Sequence, residues 1–253
     1  MYFENKVVLI TGASSGIGAE IALHFAKQSA KLALVGRNVQ NLESVAALCE
    51  KEKGVKPIQI VADMSKEGDV ERILKETVNH FARLDVLINN AGISLIGGIK
   101  DKSLDIYDKI MSVNLRSVYQ LTFLAAPYLI ATKGSIVNIS SIASSKPFSD
   151  MTEYCLSKAA LDMLTKCVAL DLAPHGVRVN AVNPGLVKTN ILNILFPESD
   201  KADKFTEDVM ASTPLKRLTE AYDVATLVSF LASDKAKSIT GCCYPVDGGK
   251  LLV

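Results

Sequence analysis

The sequence predicts an α/β domain built on a doubly wound parallel sheet of about seven strands, with helices on both faces. Short runs of β-branched and apolar residues alternate with longer segments in which apolar residues recur at helical spacing. The short runs are apolar throughout, which is typical of parallel strands covered on both faces. No internal repeat and no linker rich in proline, glycine and serine divides the chain, so we expect one domain over residues 1–253.

The order of the predicted elements supports this fold class. The predicted strands span 6–11, 31–36, 57–62, 84–90, 134–140, 177–183 and 242–246. The predicted helices span 17–29, 39–53, 67–82, 104–131, 152–174 and 221–233. Strands that alternate with helices in this way imply right-handed crossovers between parallel strands. The segment 186–218 interrupts the alternation, and an insertion of that length indicates a lid over a binding site.

The net charge and the cysteine content indicate which class of partner the protein binds and in which compartment it lies. With 28 basic and 27 acidic residues the formal net charge is +1, so there is no electrostatic reason to expect nucleic acid or an anionic membrane as partner. Five cysteines without a C-x-x-C pair and only three histidines predict neither a disulfide framework nor a metal site. We find no signal-peptide pattern and no apolar run long enough to span a membrane, and we expect a cytoplasmic protein with a small-molecule ligand.

A glycine-rich turn lies between the first predicted strand and the first predicted helix. Gly12, Gly16 and Gly18 allow a tight turn and a close approach of the backbone to phosphate oxygens. The following helix start offers unpaired N–H groups and a partial positive charge to the same phosphates. This context predicts a dinucleotide site, although a glycine turn without a ligand is the alternative.

The end of the second predicted strand indicates which dinucleotide is bound. An acidic residue at this place usually holds the adenosine ribose hydroxyls, but the sequence there is Gly36, Arg37 and Asn38. Arg37 can pair with a 2′-phosphate, and Ser14 or Ser15 can supply a hydroxyl to it. We therefore expect NADP(H) rather than NAD(H). Stacking of Arg37 over adenine, or its exposure to solvent, is the alternative.

The pattern Y-x-x-x-K occurs twice, as Tyr2 with Lys6 and as Tyr154 with Lys158. Only Tyr154 and Lys158 lie in a predicted helix, where residues four apart share one face. A nearby ammonium stabilises a phenolate, and lowering the phenol pKa by about three units requires roughly 4 kcal/mol of differential interaction. We expect Tyr154 to exchange a proton with a ligand oxygen, and we take the pair near the N-terminus as a chance match. Two neighbours on a solvated helix face are the alternative for Tyr154 and Lys158.

Taken together, the motifs resemble those of the short-chain dehydrogenases/reductases, whose sheet is of the Rossmann type. The resemblance covers essentially the whole chain, and many weak motifs in register make it specific. The motifs are T-G-x-x-x-G-x-G at 11–18, NNAG at 89–92, Asn114 in VNL, Ser141 in NISS, Tyr154 with Lys158, NPGLVKT at 183–189 and VDGG at 246–249.

The resemblance implies roles for four residues of a catalytic centre. Tyr154 would exchange a proton with an alcohol or carbonyl oxygen while hydride moves to or from nicotinamide. Lys158 would also bind the nicotinamide ribose, and Ser141 would polarise the substrate oxygen. Asn114 would hold a water that continues the proton relay through Lys158. A mid-helix asparagine often satisfies a backbone group, which is the alternative for Asn114.

The same resemblance implies a set of cofactor contacts along the chain. Asp63 would hold the adenine amino group, although it also suits a helix N-cap. Pro184 and Gly185 would border the nicotinamide. The full set of expected contacts is Gly12, Ser14, Ser15, Gly16, Ile17, Gly18, Arg37, Asn38, Asp63, Met64, Asn90, Ala91, Gly92, Tyr154, Lys158, Pro184, Gly185, Val187 and Thr189.

The residues expected around the substrate are mostly apolar. Leu95, Phe148, Ile191 and Leu195 would line the pocket beside Ser141 and Tyr154. This lining favours a lipophilic substrate, such as a steroid, terpenoid, retinoid or fatty alcohol, or an aromatic ketone. Packing of these residues on the sheet or in a subunit contact is the alternative.

Other functions stay open on the same scaffold. Lysines at 188, 201 and 204 would suit a carrier phosphopantetheine, so a 3-oxoacyl thioester reductase is one alternative. An idle dinucleotide-binding sensor is another. An epimerase or dehydratase is disfavoured because such relatives are usually longer. The resemblance also implies a homodimer or homotetramer formed through the long helices 104–131 and 152–174 and the C-terminal strand.

Overall fold

The computed structural model describes residues 2–53, 55–95, 99–100, 103–188 and 199–253. Its seven strands form one parallel sheet in the order β3-β2-β1-β4-β5-β6-β7, which confirms the predicted fold class. The strands are β1 Val7–Thr11, β2 Lys31–Gly36, β3 Ile58–Val61, β4 Val86–Asn89, β5 Ser135–Ile139, β6 Arg178–Pro184 and β7 Cys243–Val246.

Helices cover both faces of the sheet and create two apolar cores. One core packs α1, α2 and α8 on the sheet, and the other packs α3, α5 and α6 on the opposite face. Alternate residues of β1 enter opposite cores, Val8 the first and Val7 the second, which is why the strand is apolar throughout. The helices are α1 Gly16–Ala26, α2 Val39–Lys53, α3 Glu67–Phe81, α4 Leu104–Met111, α5 Ser117–Thr132, α6 Thr152–Leu172, α7 Ser199–Ser212 and α8 Ala221–Ala232.

The strand order reverses between β1 and β4, which pair directly in the centre of the sheet. In open α/β sheets, ligands bind in the crevice beyond the carboxyl ends of the strands at this point of reversal. The glycine-rich turn follows β1, and the NNAG segment ends β4. The topology therefore brings these two distant motifs to one place.

The predicted helix 104–131 is confirmed as one unbroken helical run, but it contains a π turn that the sequence did not indicate. The π turn spans Ser112–Arg116 and lies between α4 and α5. A π turn inserts one residue into a helix and changes the apolar spacing too little to be visible in the sequence. Such turns are frequent at functional sites, and this one contains Asn114.

Part of the expected lid, 186–218, lies outside the described residues, namely 189–198. Before these residues, the N–H of Lys188 donates to the backbone oxygen of Thr219 at 3.3 Å. After them, the chain forms α7, which makes up much of the second half of the segment. The role of this segment as a lid stays a prediction. None of the described helices combines the length and the apolar character needed to cross a bilayer.

Candidate active site

The glycine-rich turn is packed so closely that two of its glycines cannot be replaced by residues that have a side chain. Gly12 has a φ of +66°, and a Cβ on it would lie 2.9 Å from the Cα of Ala91. A Cβ on Gly18 would lie 2.2 Å from the carbonyl oxygen of Gly12. The turn therefore depends on glycine at both positions.

Asn90 holds the glycine-rich turn against the end of β4. Its side-chain amide donates to the carbonyl oxygens of Thr11 at 2.9 Å and Gly12 at 3.1 Å. The hydroxyl oxygen of Thr11 in turn accepts from the backbone N–H groups of Asn90 and Ala91. Asn90 therefore has a structural function that is independent of any direct contact with a ligand.

The start of α1 has the properties of a phosphate-binding site. Ser15 occupies the N-cap position without a side-chain bond to the helix, and the first turn has no acidic residue. The N–H groups of this turn, around Gly16 and Ile17, thus lack a side-chain acceptor and carry the positive end of the helix dipole. Together with the glycine backbone, they fit the phosphates of a dinucleotide.

The end of β2 lies directly beside the glycine-rich turn. A Cβ on Gly36 would lie 2.9 Å from the Cβ of Ser14, so the hydroxyl of Ser14 faces the end of this strand. Arg37 and Asn38 are exposed. Asn38 caps α2, since its side-chain oxygen accepts from the N–H of Asn41 at 2.9 Å. A contact of Asn38 with the cofactor through its side-chain NH2 group is compatible with this cap.

Asp63 follows β3 and stands close to Arg37. Its carboxylate accepts from the N–H of Ser65 at 3.0 Å and from the hydroxyl of Ser65 at 2.9 Å. These hydrogen bonds, with a smaller contribution from the charge of Arg37, lower the pKa of Asp63. Asp63 closes a turn and is not a helix cap, because α3 has Lys66 at its N-cap. The side chain of Met64 is buried in a core, so a contact of Met64 with the cofactor would have to come from its backbone.

Ser141 and Tyr154 come together in the structure as predicted. Ser141 lies just beyond β5 and caps a short 3-10 helix at Ile142–Ser144, where its oxygen accepts from the N–H of Ala143 at 3.1 Å. Its side chain also acts on the phenol of Tyr154, which lies in the first turn of α6, and favours the ionised form of that phenol. The two hydroxyls therefore present a joint site to a substrate oxygen.

Lys158 lies one turn after Tyr154 and is 4% exposed. Its ammonium donates to the carbonyl oxygen of Ile139 at 2.8 Å. Burial lowers the pKa of Lys158 from 10.5 to about 8, and the negative charge of Asp162 opposes the shift. A Cβ on Gly92 would lie 3.6 Å from the ammonium nitrogen, which places NNAG beside the catalytic helix.

The predicted lowering of the pKa of Tyr154 is wrong for the chain by itself. Burial raises the pKa of Tyr154, and the side chain of Ser141 only partly opposes this shift. The ammonium of Lys158 lies 5.7 Å from the centre of the tyrosine ring, and it donates its hydrogen bond to the backbone of Ile139. The phenol is therefore held in its protonated form at neutral pH.

Asn114 is fully buried and connects three parts of the site. Its side-chain oxygen accepts from the N–H of Ile93 at 2.8 Å, and its amide donates to the carbonyl of Ile93 at 2.9 Å. The amide also donates to the hydroxyl of Ser157 on α6 at 3.0 Å. The alternative interpretation, in which Asn114 satisfies a backbone group, is thus confirmed. Its relay role stays a prediction.

The segment after β6 forms the remaining wall of the cleft. A Cβ on Gly185 would lie 3.0 Å from the Cα of Asp247, so the NPG and VDGG motifs pack closely together. Pro184 ends β6, and Val187 is buried in a core. Thr189 lies outside the described residues.

The substrate side is only partly described. Leu95, Phe148 and Met151 are half-buried, whereas Ile191 and Leu195 lie outside the described residues. Tyr2 and Lys6 do not form a site, since the ring of Tyr2 contacts Lys235 and the ammonium of Lys6 pairs with Asp85 at 3.4 Å.

Two polar residues beside the catalytic centre were not predicted from the sequence. Asn183 and Asp162 hydrogen bond to each other at 2.8 Å, directly behind Ser141. Their positions, immediately before Pro184 and four residues after Lys158, were the available indications. The spacing by itself does not reveal that β6 and α6 bring them together.

Comparisons with known proteins agree with this geometry. Residues 12–250 match the family model described as enoyl-(acyl carrier protein) reductase. An L-xylulose reductase from Caenorhabditis elegans is 40% identical over 252 residues, which cover 98% of this chain and 96% of that protein. A meso-2,3-butanediol dehydrogenase from Serratia marcescens is 37% identical over 249 residues, with the same coverage of 98% and 96%.

A solved structure extends the likeness to three dimensions. The crystal structure of a short-chain dehydrogenase/reductase of unknown function from Caenorhabditis elegans, with cofactor, superposes with a TM-score of 0.94. It is 34% identical to this chain, and the match covers 100% of this chain and 97% of that one. The chain therefore belongs to the short-chain dehydrogenase/reductase family, whose members are oxidoreductases that act on CH–OH groups and the corresponding carbonyls with a nicotinamide dinucleotide.

Proposed function

We propose that this chain is an NADP(H)-dependent oxidoreductase that interconverts an alcohol and a carbonyl on a neutral, lipophilic substrate. The observation that carries the proposal is the adjacent pair Ser141 and Tyr154, with the buried Lys158 one turn away and beside the NNAG loop. A catalytically idle dinucleotide sensor would have no need to bury an ammonium at this place, because such burial is unfavourable for stability.

The residues of the chain account for the proton part of the reaction. Bound nicotinamide supplies or accepts the hydride. Tyr154 donates its phenolic proton to the carbonyl oxygen during reduction, and Ser141 holds that oxygen by a hydrogen bond. The raised pKa of Tyr154 suits a proton donor, since the phenol stays protonated at neutral pH.

A relay would return a proton to Tyr154 from solvent. A Cβ on Gly92 would lie 3.5 Å from the side-chain oxygen of Asn114 and 3.6 Å from the ammonium of Lys158. The two polar groups thus face the same small space beside a glycine. This supports a water between Asn114 and Lys158 as the next step of the relay.

The preference for NADP(H) rests on the charges beside the glycine-rich turn. Arg37 is exposed at the end of β2, and Ser14 faces the same strand end. Neither residue after the glycine of β2 is acidic. A 2′-phosphate would therefore meet a guanidinium and a hydroxyl without a repelling carboxylate.

The substrate class rests on the apolar side chains near the catalytic pair. Phe148 and Met151 lie between Ser141 and Tyr154 in the chain, and both are half-buried, as is Leu95. This supports a lipophilic ketone or alcohol. A 3-oxoacyl thioester is the second candidate, favoured by the acyl carrier protein in the description of the matching family model.

We also propose a cytoplasmic homo-oligomer. Its support is a groove of about 790 Å³ on α4, α5 and α6, lined by Met111, Leu115, Tyr119, Met163, Leu164 and Cys167 among others. Phe123 and Leu170 on α5 and α6 are also exposed. The five free cysteines support a reducing compartment.

Turnover of a panel of carbonyl compounds tests the proposed function. The panel holds steroid, terpenoid, retinoid, fatty and aromatic ketones, one 3-oxoacyl thioester and L-xylulose, each with NADPH and NADH. We expect the highest kcat/KM for a lipophilic ketone with NADPH. Highest activity on the thioester would favour the second candidate. Binding of dinucleotide without turnover of any compound would contradict the enzymatic function.

A further inference from the structure

Behind the catalytic pair, Asp162 and Asn183 form a polar connection between α6 and the loop that carries Ser141. The carboxylate of Asp162 accepts from the side-chain amide of Asn183 at 2.8 Å. The same amide nitrogen lies 3.1 Å from the backbone oxygen of Ser141 and 3.0 Å from the hydroxyl oxygen of Ser144. The two protons of this buried amide are shared among three acceptors, namely the carboxylate and the two ends of the short turn that begins with Ser141.

This arrangement avoids repulsion between the carboxylate of Asp162 and the backbone carbonyl of Ser141. A carboxylate that faced the carbonyl of Ser141 directly would repel it, because both groups are acceptors. The side-chain amide of Asn183 places a donor between them. Because it contacts both groups, the position of the carboxylate fixes the position of the Ser141 backbone. Asn183 is itself 4% exposed, so its hydrogen bonds hold the turn without competition from water.

Asp162 also shares a helix face with the catalytic residues. Tyr154, Lys158 and Asp162 follow one another at intervals of four residues on α6. The charge of Asp162 acts on Lys158 and opposes the effect of burial on the lysine pKa. On β7, burial and the negative charge of Asp162 raise the pKa of the Cys243 thiol to about 11.

We propose that Asp162 is a positioning residue for the catalytic centre: through Asn183 its carboxylate fixes the turn that carries Ser141, and its negative charge balances the buried ammonium of Lys158. This inference rests on the proposed function. It goes beyond it by assigning a task to a residue that touches neither substrate nor cofactor. One oxygen of Asp162 has no hydrogen-bond partner within the described part of the chain, so the carboxylate stays partly uncompensated and acts on its neighbours through its charge.

The test is Asp162→Asn, which removes the charge and keeps an oxygen that accepts from Asn183. Asp171→Asn is the matched control, an exposed aspartate in the last turn of the same helix. We expect Asp162→Asn to lower kcat about tenfold with little change in KM, and to move the alkaline fall in the reduction rate down by about one pH unit. A return towards wild-type values in Asp162→Glu would support the role of the charge. A kcat and pH profile equal to those of Asp171→Asn would overturn the proposal.

A second measurement needs no turnover and separates this inference from the proposed function. At pH 7 we expect Asp162→Asn to lower the melting temperature by about 3 °C, because the ammonium of Lys158 loses its balancing charge. In the Lys158→Met background the same substitution should leave the melting temperature unchanged. Equal effects in both backgrounds would overturn the electrostatic role. If the chain turns over no substrate, the proposed function fails and this double-mutant cycle still decides the role of Asp162.

Discussion

The ammonium nitrogen of Lys158 lies 5.7 Å from the centre of the ring of Tyr154, and its hydrogen bond goes to the backbone of Ile139. The two residues share a helix face, and the cation lies over the tyrosine ring. Loss of solvation raises the pKa of Tyr154, which is half-buried, and lowers that of Lys158, which is buried. The chain itself holds a protonated tyrosine, which is ready to reduce a carbonyl.

This protonation state predicts which direction of the reaction depends on pH. The oxidation of an alcohol releases a proton, so the ratio of the oxidation and reduction rate constants must change tenfold per pH unit. Because the pKa of Tyr154 is raised, its basic form is scarce at neutral pH and increases about tenfold per unit. Between about pH 6 and about pH 8 we expect kcat/KM for oxidation to rise with this slope and kcat/KM for reduction to stay flat.

Above that range the state of Lys158 should determine the reduction rate. Its pKa of about 8 predicts that kcat/KM for reduction falls as the ammonium loses its proton. Initial rates in both directions, measured in one buffer series, provide the check. A flat oxidation profile with a reduction rate that falls tenfold per unit from pH 6 would mean that the phenol is already ionised, contrary to this account.

The burial of Lys158 predicts a conflict between stability and activity. The folded pKa of about 8 lies below the value of 10.5 for the free side chain, so the unfolded chain binds more protons between these values. The buried charge of Lys158 lowers the free energy of unfolding. This loss of stability is complete below about pH 8 and disappears as the pH rises towards about 10.5. It amounts to about 3 kcal/mol, and a residue that replaces the lysine would lose the hydrogen bond to Ile139, which contributes about 1 kcal/mol.

Lys158→Met should therefore raise the free energy of unfolding by about 2 kcal/mol at pH 7 and abolish turnover. Denaturant unfolding at pH 7 and at pH 10 measures this effect. The gain should shrink at the higher pH because the wild-type lysine is then largely neutral. A variant that is less stable than wild type at pH 7 would argue against a buried charge at this position.

The space around Gly18 and Gly68 predicts opposite effects when each is replaced by alanine. A Cβ on Gly18 would lie 2.2 Å from the carbonyl oxygen of Gly12, so Gly18→Ala should cost about 3 kcal/mol and abolish dinucleotide binding. No atom lies within 4 Å of a Cβ on Gly68, in the first turn of α3. Gly68→Ala should therefore stabilise the protein by about 0.5 kcal/mol and leave dinucleotide binding intact. Thermal unfolding and fluorescence titration with NADPH compare the two, and tight NADPH binding by the Gly18 variant would contradict the assignment of this turn.

The exposed guanidinium of Arg37 predicts a change in cofactor preference. Arg37→Ser should raise the KM for NADPH by about tenfold or more, because a charge-assisted hydrogen bond to a phosphate contributes about 1.5–3 kcal/mol. The KM for NADH should change little. Lys75→Ser, which removes an exposed cation from α3, serves as the control for an effect of net charge. An equal change for both cofactors would indicate that Arg37 contacts a part that they share.

Much of this architecture was predictable because it follows from local patterns. The strands were predicted from continuous apolar runs, and the phosphate site from glycines between a strand and a helix. The π turn at Ser112–Arg116 was missed because one inserted residue hardly alters helical periodicity. The pKa of Tyr154 was predicted in the wrong direction because the spacing of Tyr154 and Lys158 shows a shared face, but neither the depth of burial nor the acceptor that the lysine selects.

Other features depend on contacts between distant segments. Met64 was expected at the cofactor by resemblance, but its side chain completes a core whose other members come from several elements. The connection between Asp162 and Asn183 requires α6 and β6 to pack side by side, which only the three-dimensional arrangement reveals. Sequence patterns therefore identified the residues that act on a ligand more readily than those that position them.

The most direct test of the central claim is the turnover of Tyr154→Phe, measured beside its affinity for NADPH. Phenylalanine keeps the ring and removes only the phenolic hydroxyl beside Ser141. We expect kcat to fall by about 10²- to 10⁴-fold while the dissociation constant for NADPH changes less than about threefold. A kcat within about threefold of wild type would contradict the assignment of Tyr154 as the proton donor.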